Sequence, residues 1–358
     1  MKILLRSRPR GIALIIVMIV IVVLGILAGA FAYTMRVEMR LAREANNEAE
    51  FEWLGRSGVE LARFLVGEQT KSGGDRFDAL CQKWAGGTKS TNDAFANISL
   101  ENNQLGSGTF SIKITDLERK VNVNSANQDV LQRALTLIGV DAGSFPGIVD
   151  SILDWRDRDE DAHISGAESD YYKTLTPAYF CKNGWLDDLS ELLLIRGITP
   201  EIYWGTSSTN HPVSAFQTRQ GSQLKNQDIP SYPFGLVDIF TPISGGKVNI
   251  NTASAITLQM VPGGIIDETI AQGIIQQRAG PDGVDGTDDD IPFQNTGELI
   301  NVPGLNPQVV GQLGQIFSVN STSFQVEVNA QIGTTKRRYI ALLWRNQTAV
   351  QILQMHWE

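Results

Sequence analysis

The sequence predicts an α+β fold: one long N-terminal helix leads into an antiparallel sheet whose strands are split by a largely helical insert. Three observations predict it. Residues 12–68 hold helix-forming residues without a proline. Apolar and polar residues alternate over Thr109–Leu117, and that alternation returns only near Phe324. Between the two lies a repeated phrase, Lys120-Val-Asn-Val-Asn-Ser-Ala-Asn127 against Lys247-Val-Asn-Ile-Asn-Thr-Ala-Ser254.

The N-terminus is the most informative segment. Lys2, Arg6, Arg8 and Arg10 form a basic cluster without an acid, and Gly11 to Met35 contains no charged residue. As a helix that apolar run reaches roughly 37 Å, enough to span a bilayer. The basic cluster should stay cytoplasmic, which puts the remainder on the far side. Ala28, Ala30 and Ala32 supply A-x-A-like sites, but the apolar run is longer than the 7–15 residues or so of a cleaved signal peptide. A plain signal anchor fits the length as well. Beyond Met35 the helical character continues, with Leu41, Ala45, Leu54, Gly58, Leu61 and Leu65 at helix-compatible spacings. A single helix from Ile12 to Gln69 would be about 85 Å long.

After this helix, Phe95–Leu100 and Thr109–Leu117 read as two strands, with Asn102–Gly108 as the turn. Phe324–Val328, Arg338–Arg345 and Ala349–Trp357 read as further strands, separated by turns at Gly333 and Asn346. In the insert, each copy of the repeated phrase precedes an apolar helix, a Gly/Pro turn and a second helix, Ile148–Trp155 or Glu268–Arg278. Ser125 and Thr252 are the expected N-caps. This is a helix-hairpin-helix pattern, with a related turn at Val302-Pro-Gly-Leu305 after a short helix at Thr296–Asn301.

Charge restricts the function. The chain carries a net charge of −9. Residues 120–318 hold 11 Lys and Arg against 24 Asp and Glu, a net of −13. Helix-hairpin-helix units that bind DNA set backbone amides and basic residues against phosphate, and a surface this acidic repels the duplex. A membrane-anchored DNA-binding or DNA-uptake protein is therefore the alternative reading, and the repeats read better as a protein-packing scaffold. No nucleophile elbow, phosphate loop or separated carboxylate pair is present, so the chain does not read as an enzyme. His163, His211 and His356 are too far apart in sequence to suggest ligand spacing.

Two acidic runs and two cysteines are the remaining candidate sites. Asp282, Asp285, Asp288, Asp289 and Asp290 stand in a Gly-punctuated loop of the kind hard cations use, without EF-hand spacing. A solvated acidic loop explains the same residues, and both readings stay open. Asp154, Asp157, Asp159, Glu160 and Asp161 form a second cluster that could be a second ion site, a set of backbone caps or an exposed rim; the structural reading is preferred, with Trp155, Tyr171 and Tyr172 read as packing. In an oxidising compartment a Cys81–Cys181 bridge is expected. It would close a loop of about 100 residues and stabilise by on the order of 4 to 5 kcal/mol. Two buried thiols are the other reading.

The basic leader, Gly11 and the following Ile12-Ala-Leu-Ile-Ile-Val resemble the type IV pilin and pseudopilin class. That class has a leader peptidase that cuts after the glycine, which implies cleavage between Gly11 and Ile12. The fifth mature residue of the class is usually Glu, and here it is Ile16. The minor pseudopilin K family of type II secretion typically lacks that Glu. Ile152-Leu-Asp-Trp-Arg-Asp-Arg-Asp159, Gly166-Ala-Glu-Ser-Asp-Tyr-Tyr172, Leu189-Ser-Glu-Leu192, Ile195-Arg-Gly-Ile198, Lys247–Ser254 and Asn301-Val-Pro-Gly304 are similar to that family's run.

The resemblance implies a pilin-type sheet interrupted by a helical domain. Its expected divisions are a leader at 1–11, a transmembrane and stalk helix at 12–68, and a first pilin-type part at 69–119. An insert follows at 120–318, with repeats at 120–155 and 247–304, and C-terminal strands at 319–358. It also implies methylation of the processed terminus, single-pass residence in the inner membrane with a periplasmic body, and a place at the pseudopilus tip. Implied partners are minor pseudopilins I and J, the inner-membrane secretion platform, the prepilin peptidase and secreted exoproteins. Calcium is the implied cofactor, without these residues being fixed as its ligands.

Overall fold

A computed structural model of the chain describes residues 11–69, 76–87, 97–206, 232–346 and 349–357. The leader at 1–10 lies outside the described residues, as does most of 206–234. Helix α1 runs from Gly11 to Glu68. Leu14 to Leu27 expose apolar side chains all round, and Leu41, expected on the packed face, is exposed too. From Phe51 onward one face is buried: Phe51, Leu54, Val59, Ala62, Leu65 and Val66 form a single cluster with the sheet. Close approach explains two glycines here. A Cβ on Gly58 would sit 2.4 Å from Val328, and one on Gly55 2.8 Å from the Tyr339 ring.

The strands are β1 Asn103–Leu105, β2 Gly108–Asp116, β3 Val121–Asn122, β4 Phe240–Thr241, β5 Val248–Asn249, β6 Phe317–Ser318, β7 Ser323–Ile332, β8 Thr335–Asn346 and β9 Ala349–Trp357. The main sheet has the order β1-β2-β7-β8-β9, antiparallel throughout. Phe110, Ile112 and Ile114 on β2 and Phe324, Val326 and Val328 on β7 point into the α1 cluster, as period-two alternation requires. The strand expected at Phe95–Leu100 is not found: 97–100 is turn and bend, and 95–96 lie outside the described residues. The first hairpin instead pairs Asn103 with Phe110 across Gly106-Ser107. Its turn is held by Glu50 on α1, whose Oε1 accepts from Ser107 N at 2.6 Å.

Strands β2 and β7 are neighbours although residues 117–322 separate them. The intervening helices are α2 Gln128–Ile138, α3 Phe145–Arg156, α4 Ser169–Tyr172, α5 Pro200–Trp204, α6 Leu236–Ile239, α7 Ala255–Leu258, α8 Glu268–Arg278 and α9 Pro307–Ile316. The repeated phrase folds the same way twice. Each copy opens with a two-residue parallel ladder, β3 on β4 and β5 on β6. Asn122 Oδ1 accepts from Asn124 N, and Asn249 Oδ1 from Asn251 N. Asn124 exchanges two bonds with the Leu186 backbone, and Asn251 does so with Phe293. Arg156 donates to the carbonyls of Val123 and Ala126, and Arg278 to those of Ile250 and Ala253. The caps fall two residues later than expected, on Asn127 and Ser254. Ser125 and Thr252 direct their hydroxyls elsewhere, to Asn122 O and to Asp116.

A buried polar hub joins insert to sheet. Asp116 Oδ2 accepts from Thr252, Ser321 and Asn249, at 2.5, 2.7 and 3.2 Å. Glu118 accepts from Gly245 N, Thr322 Oγ1 and Ser323 N. Arg345 on β8 ion-pairs with Asp78 and donates to Val66 O and Ser321 O. Burial, with Glu118 nearby, pushes the Asp116 carboxyl up to about 8.

Cys81 and Cys181 are both buried thiols, and the expected bridge is not formed. Cys81 packs with Val248, Phe293 and the second repeat, Cys181 with Trp155, Tyr172 and the first.

A folded-state pKa near 8 against 3.8 for a free Asp means the folded chain holds an extra proton between those values. Stability from this group is therefore complete below about pH 4 and falls as pH rises toward 8. Asp116→Asn should flatten that decline in urea denaturation measured from pH 5 to 8. A variant with the wild-type slope would show that Asp116 does not carry it.

Candidate functional site: a membrane stalk and a buried acidic cluster

Helix α1 supplies the first functional element. It is long and apolar enough to cross a membrane, and its apolar part is exposed all round. Ile16 is 55% exposed, so the position where the pilin class carries Glu is a greasy surface here. Past the apolar part, α1 carries surface pairs Glu52–Arg56 and Glu60–Arg63 at one-turn spacing, each worth a few tenths of a kcal/mol. The expected cleavage site begins at Gly11, the first described residue, and its leader side lies outside the described residues.

The second element is built by the end of α3. Asp154 is fully buried, and the chain returns after the helix so that His163 Nδ1 and His163 N both meet Asp154 Oδ1. Asp154, Asp157 and His163 each bring a ligand-type atom within 4.8 Å of the others, the one such group found among the described residues. Glu168, 4% exposed, lies in the same region. Asp154 Oδ2, Asp157 Oδ1 and both Glu168 oxygens are buried without hydrogen-bond partners. An orphaned buried oxygen costs about 1–3 kcal/mol, more if charged; the cluster is partly compensated, since Asp154 Oδ1 accepts from His163, the Asp159 backbone donates to Asp157 and the Cys181 thiol stands against Glu168.

The titration shifts follow. Burial pushes Glu168 up to about 7, and Asp154 and Asp157 add to the shift. Burial also raises Asp157, and the bond to Asp154 raises His163. Two carboxylates and a histidine brought this close are a candidate cation group, with Asp154 Oδ2 and Asp157 Oδ1 still without donors.

The loop expected to be the ligand set is organised differently. Asp285 pairs with Arg278 at 2.7 Å. Asp282 Oδ1 accepts from Val284 N, Asp289 Oδ2 from Asp282 N, and Asp290 from the amides of Gly286 and Thr287. These carboxylates are turned to protein donors and do not gather into a described ligand group; Asp288 brings no third member to one. Sequence reading singled out Asp154, Asp157, Asp159, Glu160 and Asp161 together, with an ion site, backbone caps or an exposed rim as the options and the structural reading preferred. It passed over His163 and Glu168. The signal available was Gly166: a Cβ there would stand 1.9 Å from Asp154 Oδ2. Trp155, Tyr171 and Tyr172 make the expected edge-on packing contacts, each at 5.3 Å, with Tyr171 at the exposed margin; Tyr179, not anticipated, stacks on Tyr172 at 5.2 Å.

Comparison with known proteins points one way. Residues 103–205 match the family model described as Type II secretion system (T2SS), protein K, and residues 244–317 match the helix-hairpin-helix motif. The putative type II secretion system protein K of Escherichia coli K12 is 26% identical over 212 residues, covering 56% of this chain and 61% of that protein. The Klebsiella pneumoniae protein K is 25% identical, with the same coverage. These matches thus span about 61% of the relatives' length. The Pectobacterium carotovorum protein K is 21% identical over 98% of this chain and 97% of its own. Among solved structures, the GspK-GspI-GspJ complex of enterotoxigenic Escherichia coli contains a chain with the same fold. Its TM-score is 0.62 at 15% identity, over 88% of this chain and 99% of that one.

Gly166→Ala should destabilise the chain by about 1–3 kcal/mol, because Asp154 cannot yield without leaving its buried site. Gly147→Ala on α3, with nothing nearer than 3.9 Å, should instead be neutral or stabilise by up to about 1 kcal/mol. Thermal melts of the full chain in detergent check both signs.

Proposed function

We propose that this chain belongs to the type II secretion system protein K family and is a minor pseudopilin that sits at the tip of a pseudopilus. The observation that carries the reading is architectural. An apolar, fully exposed helical half continues without a break into a stalk packed on an antiparallel sheet. A sheet so anchored is a body held outside a membrane, and the insert enlarges it. In this reading the leader side is cytoplasmic, the body is periplasmic, and cleavage falls between Gly11 and Ile12.

Ile16 gives the tip position a physical reason. In this class the Glu at that place neutralises the terminal amine of a neighbouring subunit. A subunit with Ile there offers no such partner, so it fits best where none is needed. Minor pseudopilins I and J are its proposed neighbours, as the make-up of the GspK-GspI-GspJ complex suggests. The role is one of assembly and export, without a reaction. The DNA-binding reading gains nothing from the repeats, whose region carries a net charge of −13.

A hard divalent cation, calcium in the first instance, would be held by Asp154, Asp157 and Glu168. It would offset their mutual repulsion and satisfy the oxygens that lack donors. His163, whose side chain is 46% exposed, can leave Asp154 without breaking the core.

N-terminal sequencing of the protein from its host membrane should start at Ile12. A start near Phe31 or Tyr33 would show an ordinary signal peptide and remove the pseudopilin reading.

Calcium should raise the melting temperature of the full chain over chelator. The stabilisation is about 2.7 kcal/mol at a hundredfold excess over Kd. Asp157→Asn with Glu168→Gln should abolish the increment. If Asp282→Asn with Asp288→Asn abolishes it instead, the loop is the site; equal melts in both buffers remove the cation.

A further inference from the structure

Helix α1 meets the sheet at one end only. Residues 13–42 are exposed on every side, and among the described residues Glu48 is the first to bond to the body. From Leu14 to Asn47 the helix is thus a bare lever about 50 Å long. Its seat lies just below. Gly55 and Gly58 bring the helix backbone so close to Tyr339 and Val328 that no side chain fits between. A lever seated over so short a contact has to be held against sideways swing. A tilt of about 10° around Gly55 would carry Leu14 through about 11 Å.

Two carboxylates flank the seat. Glu48 forms a two-pronged ion pair with Arg337 on β8. Glu50 accepts from Ser107 N at 2.6 Å and from Ser107 Oγ at 2.8 Å, in the turn between β1 and β2. In the sheet order β1-β2-β7-β8-β9 these anchors lie on opposite sides of β7, the strand beneath Gly58. They also act in opposite senses. The Ser107 bonds resist a swing toward β9, and the Arg337 pair resists a swing toward β1. Arg337 is itself held, its guanidinium 4.9 Å from the Phe51 ring centroid on α1 and 5.3 Å from that of Trp357 on β9. A planar cation stacks well on such faces. By contrast, Glu52–Arg56 and Glu60–Arg63 pair only within the helix.

We propose that Glu48 and Glu50 form a releasable brace that sets the angle between the apolar helix and the body. With both anchors made, α1 stands in one direction over β7. With either one broken, the helix turns about Gly55 and Gly58 toward the side of the anchor that remains. Release of the Arg337 arm is graded by ionic strength, because the Glu48 side chain is 58% exposed and salt screens exposed pairs. The Ser107 arm, made by neutral donors, responds less. The inference stands on the seat and its two anchors, independently of the secretion reading.

The test uses the full chain in detergent with spin labels at Met39→Cys on α1 and Gln354→Cys on β9, both exposed positions, the two native thiols being buried. Dipolar distances between the labels read the angle. Met39 lies about 24 Å above Gly55, so a turn of about 10° moves its label by about 4 Å. Arg337→Gln should lengthen the mean distance by about that much, and Glu50→Ala should shorten it. Arg63→Gln, which touches neither anchor, should leave it unchanged. Molar salt should move the wild type toward Arg337→Gln. Arg337→Lys, which keeps the charge and loses the planar stack, should fall between the two. A control pair within the sheet, Lys113→Cys with Gln354→Cys, should hold its distance throughout. The brace is overturned if both anchor variants keep the wild-type distance, or if both shift it in the same direction. A change in the control pair would overturn it too, since the sheet and not the helix would then have moved.

Discussion

Everything in the body beyond the long apolar helix hangs on the hub around Asp116. The chain leaves the sheet at the end of β2 and re-enters at the start of β7, and these two ends are directly paired, Asp116 opposite Phe324. Such an exit concentrates turning backbone in a place that water cannot reach, where each amide and carbonyl needs a partner. Asp116, Glu118 and Asp78 are the acceptors, and the donors come from the sheet, from the second repeat and from Arg345. Asn249 is the pivot. Its side-chain amide reaches Asp78, Asp116 and Ser321 at once, while its carboxamide oxygen shapes the turn that starts the repeat.

The repeat itself shows why those asparagines recur. Asn122 and Asn249 hold equivalent places, but only the second is wholly buried in the hub; Asn122 donates to Ser244 O at the insert's own surface. One phrase thus has two uses, folding a hairpin in both copies and welding domains in one. Arg156 and Arg278 make the parallel clearest, since each reaches back over its own hairpin to two carbonyls of the phrase. Each is followed by an acidic run. In the second run Asp285 neutralises the arginine, whereas in the first the acids crowd together around Asp154.

Much of this was legible in the sequence, for identifiable reasons. The stalk, β2 and the three C-terminal strands follow from periodicity, and helix α8 from Glu268 to Arg278 was bounded to the residue because caps and a Gly turn mark both ends. The N-caps were misplaced by two residues because Ser125 and Thr252 are equally good hydroxyl caps in isolation. Only tertiary partners such as Asp116 draw Thr252 away. The β1 hairpin was missed because Gly106-Ser107 closes with help from Glu50, a residue on another element. For the acidic sites, counting carboxylates favoured the loop at 282–290. Which of those oxygens already have protein donors depends on Arg278 and on backbone amides, and composition does not reveal either.

The split of the sheet also sets an order of events. If the insert were unstructured when β2 met β7, closing so long a loop would cost on the order of 5 kcal/mol of chain entropy before any strand contact compensated it. Once the insert has folded, its two ends already lie side by side through the ladders of β3 with β4 and β5 with β6. The sheet then closes over a gap of a few residues. The body of this protein is thereby built from the inside of its sequence outward, with the insert as the template on which the sheet is assembled last.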